Sequence, residues 1–215
     1  MFTGLVEAVG VVREARPVAA GMRLLVDPMG WDHRPDLGES IAVSGCCLTV
    51  AAAMGSGGGP MAFDVVPETL AKTTLGGKVG VGSRVNLEHA ATAATLMGGH
   101  FVQGHVDGVG VVERVEREGE WRVRVRPPAE LMPYVTPKGS VTIEGVSLTV
   151  AAVDPAGGWF EVALIPTTLD KTTLGDLKPG DGCNLEADVL AKTVVHYLRH
   201  YAGGGPPAIM NEPGA

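Results

Sequence analysis

FTGLVEAVGVV at residues 2–12 returns as VQGHVDGVGVV at residues 102–112, with Gly4 over Gly104. The same offset of 100 residues lays SGCCLTVAA (44–52) over EGVSLTVAA (144–152). VPETLAKTTLG (66–76) then falls on IPTTLDKTTLG (165–175) at an offset of 99, and GSRVNLE (82–88) on GDGCNLE (180–186) at 98, pairing Asn86 with Asn184. Four blocks in one order and almost one register define an internal duplication, and a fold assignment has to respect such a repeat before anything else. The chain divides into a first copy over residues 1–99 and a second over residues 100–198.

Within each copy the pieces are short, β-branched and bounded by glycine, as in VGVV, SIAVSG, CLTVAAA, AFDVVP and SRVNLE. That is the period-two pattern of strands. About six such pieces per copy, without a long helix, predict a small closed barrel, because closure removes exposed strand edges. TLAKTTLG and TLDKTTLG are expected to form a helical turn ended by Gly76 or Gly175, since glycine is favoured just past a helix end. GSGGGP, from Gly55 to Pro60, reads as a loop; no Lys-Ser/Thr follows to make it a phosphate cradle.

One segment has no counterpart in the first copy. DVLAKTVVHYLRHY, from Asp188, carries apolar residues at Val189, Leu190, Val194, Tyr197, Leu198 and Tyr201. They form the stripe of an amphipathic helix over about residues 188–201, capped by Asp188 and closed by Gly203. GGGPPAIMNEPGA (203–215) has no periodicity and is expected to be a flexible tail. The fold class is therefore all-β, with two tandem six-stranded barrels and a C-terminal helix.

Composition narrows the function. A formal net charge of -7 over 215 residues disfavours nucleic acid and anionic membrane as partners, leaving a small neutral molecule as the better fit. Cys46, Cys47 and Cys183 are the three cysteines, and neither a targeting signal nor a membrane-length apolar run is visible. The expectation is a reduced, cytoplasmic chain. His100 and His105 lie five apart, so a continuous strand would send them to opposite faces, and no other metal-ligand spacing occurs. No metal is expected.

Strand alternation puts Gly45, Cys47 and Thr49 on one face, and Gly145, Ser147 and Thr149 on the matching face of the second copy. Each face offers a small gap beside hydrogen-bonding groups, which suits a flat ring that must approach the backbone. His105 stands where the first copy has Leu5. An imidazole there could move protons near neutral pH.

MFTGLVE, SGCCLTV, VPETL, GGHFVQGHVDG, GVSLTV and IPTTLDKTTLG together resemble the riboflavin synthase family of lumazine-binding tandem barrels along the whole chain apart from the tail. The resemblance implies Greek-key topology in each barrel, one 6,7-dimethyl-8-ribityllumazine per barrel, and a homotrimer, for which a lumazine synthase is a candidate partner. It implies dismutation of two lumazines into riboflavin and 5-amino-6-(ribitylamino)uracil, the last step of riboflavin biosynthesis. This four-carbon transfer needs no cofactor. Carried over by position, the first barrel's site comprises Gly4, Leu5, Val6, Cys47, Leu48, Thr49, Asp64, Val65, Val66, Pro67, Glu68 and Thr69. The second comprises Gly104, His105, Val106, Lys138, Ser147, Leu148, Thr149, Ile165, Pro166, Thr167, Thr168, Leu169 and Asp170. Ser40, Cys47 and His105 fall at positions the family implicates in catalysis, and Asp188 resembles another site carboxylate. The rival reading is a non-catalytic fluorescent antenna protein that binds a lumazine or flavin on the same scaffold. A barrel interaction module without a small ligand is a third, disfavoured by hydroxyl-bearing strands in both copies.

Overall fold

A computed structural model describes residues 1–52 and 59–202. The first copy supplies β1 (Ala8–Val18), β2 (Gly21–Asp27), β3 (Ser40–Val43), β4 (Cys46–Ala52), β5 (Met61–Val65) and β6 (Arg84–His89). The second supplies β7 (Gly108–Glu116), β8 (Trp121–Arg126), β9 (Ser140–Ile143), β10 (Val146–Asp154), β11 (Trp159–Leu164) and β12 (Gly182–Ala187). Every neighbouring pair is antiparallel, and each set closes on itself in one order: β1-β2-β5-β4-β3-β6, repeated as β7-β8-β11-β10-β9-β12. Even the irregularities are duplicated. Register shifts at Val12/Glu14 and Val50/Ala52 return at Val112/Arg114 and Val150/Ala152, where an extra residue sharpens the bend that a small barrel needs.

Each barrel holds its own apolar core. Leu24, Ile41, Met61, Phe63 and Leu87 fill the first, and Val125, Ile143, Phe160, Val162 and Leu185 the second. Burying such side chains stabilises by about 1.5–3 kcal/mol each. Cys46, Leu48 and Val50 point into the first core while Cys47 and Thr49 face outward, as strand alternation predicts.

The expected helical turns are α1 (Pro67–Lys72) and α2 (Pro166–Lys171), each with proline in its first turn. Neither is ended by the glycine, which corrects that expectation. Thr73 and Thr172 leave the helix in extended conformation, and a 3-10 turn then spans Thr74–Gly76 or Thr173–Asp176. Gly76 is required there by contact, since a Cβ would stand 2.0 Å from the Leu70 carbonyl oxygen.

The third helix, α3 (Val189–His200), begins as predicted: the Asp188 side chain accepts from Leu190 N at 2.8 Å. It lies against the second barrel through Lys192, whose Nζ is 3.0 Å from Asp107 Oδ2, and through Arg199, which meets Tyr134 in an unpredicted 3-10 helix at Ala129–Tyr134. Leu190, Val194, Tyr197, Leu198 and Tyr201 stay 46–60% exposed, so this chain leaves the apolar stripe uncovered. Gly203, the 203–215 tail and most of the Gly55–Pro60 loop lie outside the described residues.

The barrels meet about a local two-fold relation. Ser44-Gly45 and Glu144-Gly145 have positive φ at both residues, which gives the tight β3–β4 and β9–β10 turns their primed geometry. Their tips touch: a Cβ on Gly45 would come 2.6 Å from Gly145 N. The paired asparagines lock this seam. Asn86 Nδ2 donates to Glu144 O (2.8 Å) while its Oδ1 accepts from Thr173 N (2.8 Å). Asn184 does the same with Ser44 O (2.9 Å) and Thr74 N (2.7 Å).

Candidate active site: two pockets built by exchanged segments

Each copy enters its barrel through a glycine-led segment, Gly4-Leu5-Val6 or Gly104-His105-Val106. Phe2 and Val102 form an antiparallel bridge, Phe2 N to Val102 O at 2.7 Å and the reverse at 3.1 Å, so the two segments diverge from one point. Each then crosses to the other barrel. Cys47 N donates to Gly104 O and Ser147 N to Gly4 O, both at 2.8 Å. Val106 packs on the first core and Val6 on the second.

Glycine is required at the crossing. Gly4 and Gly104 both sit at φ +76°, and a Cβ on either would lie 2.6 Å from Ser147 Cβ or 2.7 Å from Cys47 Cβ. Buried carboxylates hold the crossed backbone. Glu88 accepts from Thr3 N (2.6 Å), Thr3 Oγ1 (2.7 Å) and Gly4 N (3.0 Å); Glu186 accepts from Gln103 N (2.7 Å), Gly104 N (3.0 Å) and His105 N (3.1 Å). Burial raises both carboxyls above their ordinary value, while the donated hydrogen bonds pull them back.

The exchange corrects the expected grouping of site residues by copy. The first pocket, about 230 Å³, is lined by Cys47, Glu68, Thr69, Lys72 and Thr73 of the first copy with Gly104, His105 and Val106 of the second. The other, about 270 Å³, is lined by Val146, Ser147, Thr167, Thr168, Lys171 and Thr172 of the second copy with Gly4, Leu5 and Val6 of the first. The strand reading could not see this, because which barrel an entry segment joins depends on chain crossing rather than on local pattern.

The remaining expected residues distribute around these pockets. Leu48, Val65 and Leu148 are buried in the barrel cores and Leu169 packs on one, so a ligand would meet them through backbone. Thr49 and Thr149 face outward opposite Ser40 and Ser140. Asp64 is exposed, with Arg23 Nε 3.2 Å from its carboxylate. Val66 and Ile165 precede the helices whose first residues are Pro67 and Pro166, and Asp170 is exposed near the end of α2. Lys138 is exposed and holds φ +64° where the first copy has Gly38, a backbone that costs a side-chain-bearing residue about 1–3 kcal/mol. Asp188 caps α3 and acts electrostatically on His100.

Several site residues were missed in the sequence. Lys72 and Lys171 line the two pockets, and their place at the head of the duplicated KTTLG block was the available signal. Glu88 and Glu186 ended the aligned NLE blocks, and that repetition was their signal. Cys46 also lines the first pocket, with burial pushing its thiol up to about 12, so it stays protonated.

Twin barrels that trade entry segments to build two small pockets define a duplicated, small-ligand-binding barrel protein. The Lumazine binding domain family model matches residues 3–90 and again 103–188. A riboflavin synthase of Mycobacterium tuberculosis is 44% identical over 201 residues, spanning 93% of this chain and 98% of the relative. That of Brucella abortus is 40% identical over 195 residues, spanning 89% and 95%. The chain belongs to the riboflavin synthase family of lumazine-binding proteins. Among solved structures, LumP complexed with riboflavin superposes with a TM-score of 0.77 at 26% identity, covering 87% of this chain and 99% of that one.

Proposed function

We propose that this chain is a riboflavin synthase that transfers a four-carbon unit between two molecules of 6,7-dimethyl-8-ribityllumazine, yielding riboflavin and 5-amino-6-(ribitylamino)uracil. The observation that carries it is the presence of two matching pockets on one chain, a natural provision for two identical substrates. The copies at 1–99 and 100–198 are its two substrate-holding units. Gly104 and Gly4 let the flat ring approach backbone. The threonines and lysines of α1 and α2 supply hydrogen bonds for the ribityl chain. Cys47 and His105 face the reacting ring in the first pocket, and Ser147 does so in the second. Ser40, Thr49, Lys138 and Asp188 belong to the surrounding surface that a second copy closes.

The C7 methyl of this lumazine is acidic because the ring delocalises the resulting anion. Catalysis then consists of removing that proton from one lumazine and holding the other in reacting geometry. Holding two reactants together can supply about 7–11 kcal/mol. Ligand sites usually enclose about 300–1,000 Å³; pockets of about 230 and 270 Å³ fall short of that, which supports completion by another subunit. The uncovered stripe of α3 supports a homotrimer, with the first pocket of one subunit facing the second pocket of its neighbour. The setting is cytoplasmic.

The test is to incubate the protein with the lumazine and follow riboflavin, alongside a chain truncated before Asp188. The full chain should produce riboflavin, while the truncated chain should sediment as smaller particles that still bind lumazine and lose nearly all synthesis. Lumazine binding without flavin formation by the full chain would favour the antenna reading. A truncated chain that remains a trimer would remove α3 from the assembly.

A further inference from the structure

The two histidines of GGHFVQGH part at the Phe2–Val102 bridge. Residues after Val102 run to the first barrel, which takes His105 into the first pocket. Residues before Val102 run alongside the first copy's entry segment, with His100 N donating to Thr3 O at 3.2 Å, and reach Ser147, which lines the second pocket. There His100 Nδ1 lies 2.7 Å from Ser147 Oγ, and its Nε2 lies 3.3 Å from Thr142 Oγ1. In the first pocket Cys47 stands in place of Ser147, and among the described residues no histidine ring is bonded to it.

We propose that His100 is a positioning residue of the second site, receiving the Ser147 hydroxyl proton at Nδ1 so that Ser147 Oγ accepts a proton from bound lumazine. This rests on the lumazine reading of the pockets. In the step, the C7-methyl proton passes to Ser147 Oγ as the hydroxyl proton passes to Nδ1. The products are a ring-delocalised lumazine anion, an intact serine and an imidazolium. The charges about the ring are arranged for this: Asp188, at the start of α3, favours the imidazolium, and Lys171 on α2 lines the pocket that holds the anion. Thr142 and Ser147 face the ring without charge, while the Thr3 carbonyl accepts from His100 N. Burial holds His100 below the ordinary histidine value against the opposing pull of Asp188, so the ring is neutral and receptive near pH 7. Among the described residues His105 has no such serine partner, and Cys47 lines its pocket instead.

The decisive variant is full-length His100→Asn, which keeps an acceptor for the Ser147 hydrogen bond yet takes no proton. It is compared with Ser147→Ala and with the double substitution. His100→Asn should lower kcat about 100-fold with KM changed only a few-fold, and the acid limb of the pH–rate profile should disappear. Exchange of the lumazine C7-methyl protons with deuterated solvent, followed by NMR, should slow in parallel. Ser147→Ala should lose a similar factor and the double variant no more, as expected of groups acting as one unit. If His100→Asn does not fold, the Ser147→Ala profile reads the same limb. A wild-type kcat with an intact acid limb in His100→Asn would overturn the proposal, as would single losses that multiply in the double variant. If the unsubstituted chain forms no riboflavin, the functional reading fails and this proposal with it; turnover untouched by the variants sinks the proposal alone.

Discussion

The two barrels share strand order, bulge positions, hairpin turns and carboxylate anchors, yet their pockets differ in the groups that can move a proton. The first pocket holds Cys47, Glu68 and His105, and the second holds Ser147 and Thr167 at the matching positions, with Leu5 in place of the histidine. Duplication preserved what closes a barrel and holds a segment; substitution acted on the few outward side chains that a ligand meets. Because the entry segments cross, a residue's copy and its site are different things. His105 belongs to the second copy in sequence and to the first pocket in space.

The largest test of this comparison removes one partner. A fragment of residues 1–99 lacks Gly104, His105 and Val106, which line the first pocket. It should make no riboflavin and should bind lumazine only at concentrations where two fragments pair, each lending Gly4-Leu5-Val6 to the other. Fluorescence titration at several protein concentrations checks this, and tight binding by a monomeric fragment would show that the crossing is dispensable. Next in size is His105→Ala, expected to lower kcat about 100-fold or more while lumazine binding persists. An unchanged rate would reduce the histidine to a structural residue.

The crossed anchors sharpen the comparison further. Glu186→Gln, on a strand of the second barrel, should weaken ligand binding at the first pocket, whereas Glu88→Gln should weaken the second. A hydrogen bond to a charged group is worth about 1.5–3 kcal/mol, so each variant should lose roughly tenfold or more at one pocket. Competition with a ligand analogue, read by NMR of each pocket, checks the pattern. Loss at the pocket of the same barrel would contradict the exchange.

The smallest effect separates Glu144 from its counterpart Ser44 at the seam. Burial raises the Glu144 carboxyl from 4.5 to about 7, against hydrogen bonds from Asn184 N and Ser44 and the charge of Lys78. A folded value above the unfolded one means that the folded state holds the proton more tightly, so this group's contribution to stability declines as pH rises from about 4.5 through 7. Glu144→Gln should remove that slope. Its melting temperature relative to the unsubstituted protein should rise between pH 5 and pH 8, reflecting on the order of 3 kcal/mol. A constant difference across that range would show that Glu144 does not titrate with folding.

The sequence by itself determined the duplication, the barrels and the helix after Asp188, because each is written in local spacing. Period-two apolar residues can bury one face only as strands, and glycine with a positive-φ neighbour turns a hairpin wherever it falls. It also marked Cys47 and Ser147, since alternation fixes which side chains leave the core, and His105, which breaks the repeat at Leu5. The sequence left open where those outward groups meet. Asn86 and Asn184 were legible as a repeated pair, but not as amides spent on the opposite barrel, and Glu88 and Glu186 passed as strand ends. His100 was visible only as half of a metal pair that spacing excludes. Its approach to Ser147 depends on the Phe2–Val102 bridge, a contact between residues a whole copy apart. Local pattern is set by the geometry of one strand, whereas a pocket is set by which strands the folded chain brings together, and only the closed, crossed barrels decided that.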